Sequence, residues 1–311
     1  MIPISAVIPT YNRAPILGRA IESVLKQTCP PDEVIVIDDG SKDDSAAVAA
    51  TFGSRIRYIR QENAGASEAR NRGVRLAVNE WIAFLDSDDI WVETHLERMS
   101  AAISATNGQA PVYFSDMEQT PEDGGGSLWE SIGFHIAPPF QFVEDASDWV
   151  MMDRQPTMLQ CSVFRKEAYE QVGGLWKPLW LTHDTHLFLK VCLGGSACAV
   201  AGYGTVQTAD DATVGNRLTI THGNKTRGYW FETALLWKDI LAHAHLHAPG
   251  VVPRVRELYA NAYWSLARQD WKSGRVYALP VDIARVLSVM PSFPFTHFPK
   301  ASNGRATKRP G

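Results

Sequence analysis

The feature that most restricts the fold is the hydrophobic patterning of the first 115 residues, where short β-branched runs alternate with amphipathic segments. Residues 4–8 read as a buried strand. Pro15 then opens a helix whose apolar positions, Leu17, Ala20, Ile21, Val24 and Leu25, recur every three to four residues until Pro30-Pro31 ends it. Residues 33–37 form a second buried strand, followed by a helix running to about Phe52. Residues 56–59 form a third strand, 66–78 a helix and 81–85 a fourth strand. This order predicts an α/β protein, a parallel sheet covered by helices on both faces.

The pattern beyond is less regular. Residues 111–115 and 159–164 read as strands, and 165–172 as a short helix ended by Gly173-Gly174. Residues 184–193 read as a helix and 197–201 as a strand. The stretch 118–127, with Glu118, Glu122, Asp123 and Gly124-Gly125-Gly126, reads as an exposed mobile loop. From about residue 225 the pattern is helical to 290, and the tail, 291–311, is rich in proline, aromatic and basic residues. The expected organisation is an α/β part in two halves, 1–115 and 116–224. A helical extension over 225–290 and a basic, aromatic tail follow.

Composition narrows the class. A hydrophobic content of 45% suits a soluble globular protein, and a net charge of −4 disfavours a nucleic-acid partner. Cys29, Cys161, Cys192 and Cys198 form no CxxC pair and read as reduced thiols of a cytoplasmic protein. The N-terminus has no basic region and reads as a first strand, not a signal peptide. No apolar run reaches the ~18 residues that span a bilayer.

Ligands of parallel sheets bind at the carboxyl ends of the strands. Four polar clusters fall there: Pro9-Thr10-Tyr11-Asn12-Arg13, Asp38-Asp39-Gly40-Ser41, Asn63-Ala64-Gly65-Ala66-Ser67 leading to Arg70, and Asp86-Ser87-Asp88-Asp89. Taken singly, each has a plain explanation: a surface aromatic, a turn, a solvated helix residue, or a cap for a helix starting near Trp91. Together on one edge they suit a nucleotide. Tyr11 offers a face for stacking a base, worth ~1–3 kcal/mol by analogy with base–aromatic stacking. Asp39 can accept a hydrogen bond from a ring N–H such as uracil N3, and Arg70 supplies a permanent cation. Asp86 and Asp88 are hard oxygen ligands for Mn²⁺ or Mg²⁺.

These four clusters, in this order and spacing, resemble those of the family-2 glycosyltransferases. The resemblance covers residues 4–105 and rests on Val7-Ile8-Pro9-Thr10-Tyr11-Asn12, Ile37-Asp38-Asp39-Gly40-Ser41, Asn63-Ala64-Gly65, Ala69-Arg70-Asn71-Arg72-Gly73 and Phe84-Leu85-Asp86-Ser87-Asp88-Asp89. It implies a Rossmann-like GT-A fold, with 1–115 as its nucleotide-sugar-binding half and 116–224 as its acceptor-binding half, a nucleoside-diphosphate sugar donor and an inverting mechanism. It also implies that Thr10, Tyr11, Asp39 and Arg70 bind the nucleotide, with Pro9, Arg13, Asp86 and Ser87 in the same set. Asp86 would lie near ribose and metal, and Asp88 would be the main metal ligand. In the acceptor half, Gly173-Gly174 precedes His183-Asp184-Thr185-His186, and Asp184 matches the family's catalytic base. His183 stands where the family usually carries Glu. The plain alternative for Asp184 is an N-cap.

The Q-x-x-R-W motif of processive members is absent, which points to addition of one or a few sugars. UDP is the first donor expected, because Asp39 suits uracil, and dTDP presents the same N–H. The expected acceptor is a glycan or lipid-linked glycan, with peripheral membrane contact through Phe293, Phe295, Phe298, Lys300, Arg305, Lys308 and Arg309 of the tail. His222 is a candidate for approaching the diphosphate. His243, His245 and His247 read as a solvated helix face. Without G-x-G-x-x-G or a Walker A pattern, a dinucleotide oxidoreductase or P-loop NTPase is disfavoured. Two alternatives stay open: a sugar-phosphate nucleotidyltransferase and a non-catalytic sugar-nucleotide-binding protein.

Overall fold

The computed structural model describes residues 2–208, 226–275 and 278–291. His222 and the aromatic and basic residues of the tail lie outside the described residues, as does all of 209–225. The first half follows the expected alternation: β1 (Ile4–Thr10), α1 (Ala14–Leu25), β2 (Glu33–Asp38), α2 (Ser45–Ala50), β3 (Arg57–Arg60), α3 (Ala66–Leu76) and β4 (Trp81–Phe84). Then come β5 (Asp89–Trp91), α4 (His95–Ala105), β6 (Val112–Gln119), β7 (Gly126–Ser127), α5 (Leu128–Ile132), β8 (Phe140–Val143) and α6 (Ser147–Val150). The remainder is β9 (Ser162–Arg165), α7 (Lys166–Gln171), α8 (His183–Cys192), β10 (Ala197–Gln207), α9 (Arg227–His247), α10 (Val252–Lys272) and α11 (Leu279–Val289).

The strands form one sheet in the order β3-β2-β1-β4-β9-β6-β10-β5, with β7 beside β6 and β8 beside β10. The parallel sheet expected from the first 115 residues is present in β1 to β4, and the strands added beyond it make the whole sheet mixed. The segment β3-β2-β1-β4 is parallel, but β9 runs antiparallel to both β4 and β6. Strand hydrophobicity does not encode direction, so the pattern carries no trace of the reversal. The sheet is buried on both faces. Val7, Ile35, Ile37 and Phe84 face one core with Ala69 and Val74 of α3 and Leu187 and Phe188 of α8. Ala6, Ile8, Val34 and Val36 face the other, with Leu17 and Ile21 of α1 and Leu96 and Met99 of α4. This is the period of two expected of strands covered on both sides.

Three expectations are corrected. Residues 118–127 are not one mobile loop: β6 runs to Gln119, and Gly126-Ser127 pairs back onto it, with Ser127 Oγ donating to buried Asp116 at 2.5 Å. No helix begins near Trp91; Asp89–Trp91 is a short strand antiparallel to β10, and α4 begins at His95. His243 is not on a solvated face. It is half-buried, its ring centroid is 4.3 Å from that of His247, and burial pushes its pKa down to about 4.

Two contacts place the ligand edge. A Cβ on Gly73 would sit 2.3 Å from Val7 Cγ1, so only glycine lets α3 lie directly on β1. The helical extension is tied to α8, where Asp239 of α9 meets His186 Nε2 at 2.9 Å and Lys190 Nζ at 3.3 Å. The His186 hydrogen bond, helped by Lys190 and opposed by burial, holds the Asp239 carboxyl down to about 2.

Candidate active site

The carboxyl ends of β1, β2 and β4 open into a cleft of about 740 Å³, within the usual range for ligand sites. The parallel register sets Thr10 against Asp38, so the two following loops emerge side by side. Asn12 fastens them: its N–H donates to Ser41 Oγ at 2.9 Å, and its Oδ1 accepts the Lys42 N–H at 2.7 Å. Its φ of 53° is a left-handed conformation that asparagine tolerates better than most residues. Tyr11 is left 43% exposed beside the cleft.

Asp39 is buried and already committed to the protein. Its Oδ1 accepts Gln61 Nε2 at 2.7 Å and the Ala64 N–H at 2.8 Å; its Oδ2 accepts the Gly65 N–H at 2.8 Å. A carboxylate has about four acceptor sites, so roughly one remains for a ligand. Gly65 sits at φ 90°, ψ 159°, a region essentially closed to other residues, and immediately precedes α3. Asp39 therefore shapes the loop that delivers Arg70.

Arg70 is buried and ion-paired with Asp86. Burial opposes its charge, but Asp86, the hydrogen bond to it and the nearby Asp184 outweigh this and raise its pKa. Among the described residues its Nε and Nη1 find no acceptor, and Thr10 Oγ1 finds no partner. Buried polar groups are normally satisfied, so these atoms fit an oxygen-rich ligand. The carboxylates of Asp86, Asp88 and Asp89 bring ligand oxygens within 4.8 Å of one another. Arg13 Nη2 lies 3.8 Å from Asp88. A hard, all-oxygen set that close fits a divalent cation.

Pro9, Thr10, Tyr11, Arg13, Asp39, Arg70, Asp86, Ser87, Asp88 and Asp184 all line this cleft. The cap position of α8 belongs to Thr182, and Asp184 lies inside the first turn. Several contributors are not apparent from the sequence motifs. Asp89 was visible only as the last acid of its cluster. Gln61 carries no signal in the sequence, and Asn71 stands in the Ala69-Arg70-Asn71-Arg72-Gly73 motif without its partners being legible there, because each acts through groups brought close only by folding. Asn71 accepts Tyr169 Oη–H at 2.6 Å and the Leu175 N–H at 3.0 Å, and donates to the Leu175 carbonyl at 2.8 Å. It thereby holds the Gly173-Gly174 turn against α3.

Fold and site define a GT-A protein with a helical C-terminal part. Residues 5–173, more than half of the chain, match Glycosyl transferase family 2, and the chain belongs to that family. Among curated proteins it is similar to glycosyltransferase GlyG of Streptococcus pneumoniae serotype 4, at 41% identity over 54% of this chain and 58% of that one. The chain spans less than two thirds of the length of the curated relatives it matches. The UDP complex of S. aureus TarS 1–349 is similar in fold, with a TM-score of 0.65 at 18% identity, over 94% of this chain and 82% of that one. So is mannosyltransferase PcManGT from Pyrobaculum calidifontis in complex with GDP-Man and Mn²⁺, with a TM-score of 0.56 at 17% identity, over 95% of this chain and 84% of that one. Among the described residues no helix is long and apolar enough to cross a membrane.

Proposed function

We propose that this protein is an inverting, metal-assisted glycosyltransferase that moves a sugar from UDP or dTDP to an acceptor hydroxyl, on a glycan or lipid-linked glycan. The observation that carries this reading is the meeting of Asp86, Asp88 and Asp89 with Arg70 and Asp184 in one cleft. Family membership supports the transferase class, and the neighbours' nucleotide complexes support the donor class.

Tyr11 stacks on the base, and the remaining acceptor site of Asp39 takes its ring N–H. Arg70 and Thr10 present their unpartnered donor atoms to the donor's oxygens. Asp86, Asp88 and Asp89 would hold Mn²⁺ or Mg²⁺. When bound, such an ion supplies Lewis-acid stabilisation of the charge on the departing diphosphate. Asp184 takes the acceptor proton while the acceptor oxygen bonds to the anomeric carbon. The bond from that carbon to the diphosphate oxygen breaks on the opposite side, its electron pair leaves with the diphosphate, and configuration inverts.

The test is release of nucleoside diphosphate from a panel of nucleotide sugars, with Mn²⁺ and with excess EDTA. Mn²⁺-dependent turnover of a UDP- or dTDP-sugar supports the reading. Tight nucleotide binding with neither transfer nor hydrolysis would make this a binding protein instead.

A further inference from the structure

The wall of the cleft leading into α8 is a short lip, Leu179-Trp180-Leu181. Leu179 is buried and anchors it, whereas Trp180 is 55% exposed. The lip lies outside any helix or strand, yet its backbone is held. The N–H groups of Trp180 and Leu181 both donate to the Glu232 carboxylate, at 2.9 and 3.0 Å. Glu232 belongs to α9, the helix whose Asp239 also grips His186 and Lys190 of α8. One helix of the C-terminal extension thus fixes both the lip and the helix that carries Asp184.

A large indole exposed on a fixed backbone in the wall of the cleft is suited to a ligand with an apolar face. A pyranose ring has one: its axial C–H bonds form a weakly positive surface that matches the negative face of an aromatic ring. Tyr11 stands on the nucleotide side, at the end of β1, whereas Trp180 is four residues from Asp184. We propose that Trp180 is the stacking platform for the acceptor's sugar ring, and that Glu232 is the positioning residue that holds it there. This rests on reading the cleft as a site of glycosyl transfer.

The test uses the full chain with Mn²⁺ and two probe sets: UDP, dTDP and GDP, and the methyl glycosides of glucose, galactose, mannose and N-acetylglucosamine. Binding of each set is read by saturation-transfer NMR. At least one methyl glycoside should bind the wild type through its ring protons. Trp180→Ala should weaken that binding by about five-fold or more while nucleotide affinity stays within about two-fold. Trp180→Phe should recover most of the loss, which separates stacking from a folding defect. Glu232→Gln, which weakens the acceptor for the two amides, should also reduce glycoside binding and spare the nucleotide.

Unchanged glycoside binding by Trp180→Ala overturns the proposal. So does a wild type that binds nucleotide but no glycoside. A parallel loss of both ligands in Trp180→Ala overturns it as well, and assigns the lip to the donor. If the wild type binds no nucleotide at all, the glycosyl-transfer reading itself falls.

Discussion

The guanidinium of Arg70, buried beneath the cleft, is ion-paired with the carboxylate of Asp86, which is itself one of three acids whose ligand oxygens lie within 4.8 Å of one another. The pair joins α3 to the end of β4 and, on the proposed function, makes stability and ligand binding depend on the same residues. Removing one partner of a buried pair leaves the other charge uncompensated, at a cost of about 3–5 kcal/mol. Asp86→Ala should therefore lower the stability read by urea denaturation much more than Asp88→Ala, whose ion pair with Arg13 is a looser one at 3.8 Å. Equal losses would show that Arg70 finds another counter-charge.

Donor binding should depend on a divalent ion. Calorimetry of UDP or dTDP with Mn²⁺ should give a clearly lower Kd than the same titration in excess EDTA. Asp88→Asn should remove most of that difference. Identical affinities with and without the ion would exclude a cation held between these carboxylates and the diphosphate.

Asp184→Asn keeps the side-chain shape and removes its basicity. Nucleotide affinity should stay nearly unchanged, while turnover falls by ~10²–10⁴, the usual contribution of a general base. Near-normal transfer by this variant would move the base elsewhere, with His183 in the same cleft as the first alternative.

Gly65 holds a backbone conformation that costs other residues about 1–3 kcal/mol. Its N–H is also one of the three donors that fasten Asp39. Gly65→Ala should lower stability by about that amount and weaken nucleotide binding through the displaced loop. A variant with wild-type thermal stability and affinity would show that the loop does not need this conformation.

Acid should destabilise the protein well before its carboxylates titrate. His95 is fully buried against Trp91, and neither of its ring nitrogens has a partner among the described residues. Burial, reinforced by Arg98, pushes its pKa down to about 3, so it folds neutral. In the unfolded chain a histidine protonates near pH ~6.5. Between about pH 6.5 and 3 the unfolded state binds the extra proton and the folded state does not, so this contribution to stability falls as pH falls and is flat above the window. His243, pushed down to about 4, acts in the same direction. Urea midpoints should decline from about pH 6.5 downward, with a slope of at most ~1.4 kcal/mol per pH unit from His95. His95→Leu should flatten the curve; an unchanged slope would mean that other groups carry it.

The strand–helix alternation, the carboxyl-end location of the site and most of its chemistry are legible in the amino-acid sequence because they are local. A β-branched run, a proline at a helix start and an acidic cluster after a strand are each written in a few consecutive residues. Asp86-Ser87-Asp88-Asp89 is one such cluster, complete in four positions. Whatever depends on distant segments meeting belongs instead to the tertiary structure. The direction of β9 is not encoded in its hydrophobicity. Nor does any local pattern specify the pairing of Arg70 with Asp86, or the use of three of Asp39's acceptor sites by Gln61, Ala64 and Gly65. The reach of Glu232 across 52 and 51 residues to the Trp180 and Leu181 amides is of the same kind. Side-chain identity states what a residue can bond to. Which partner it takes is decided only when the packed sheet and helices bring that partner within about 3 Å and exclude water.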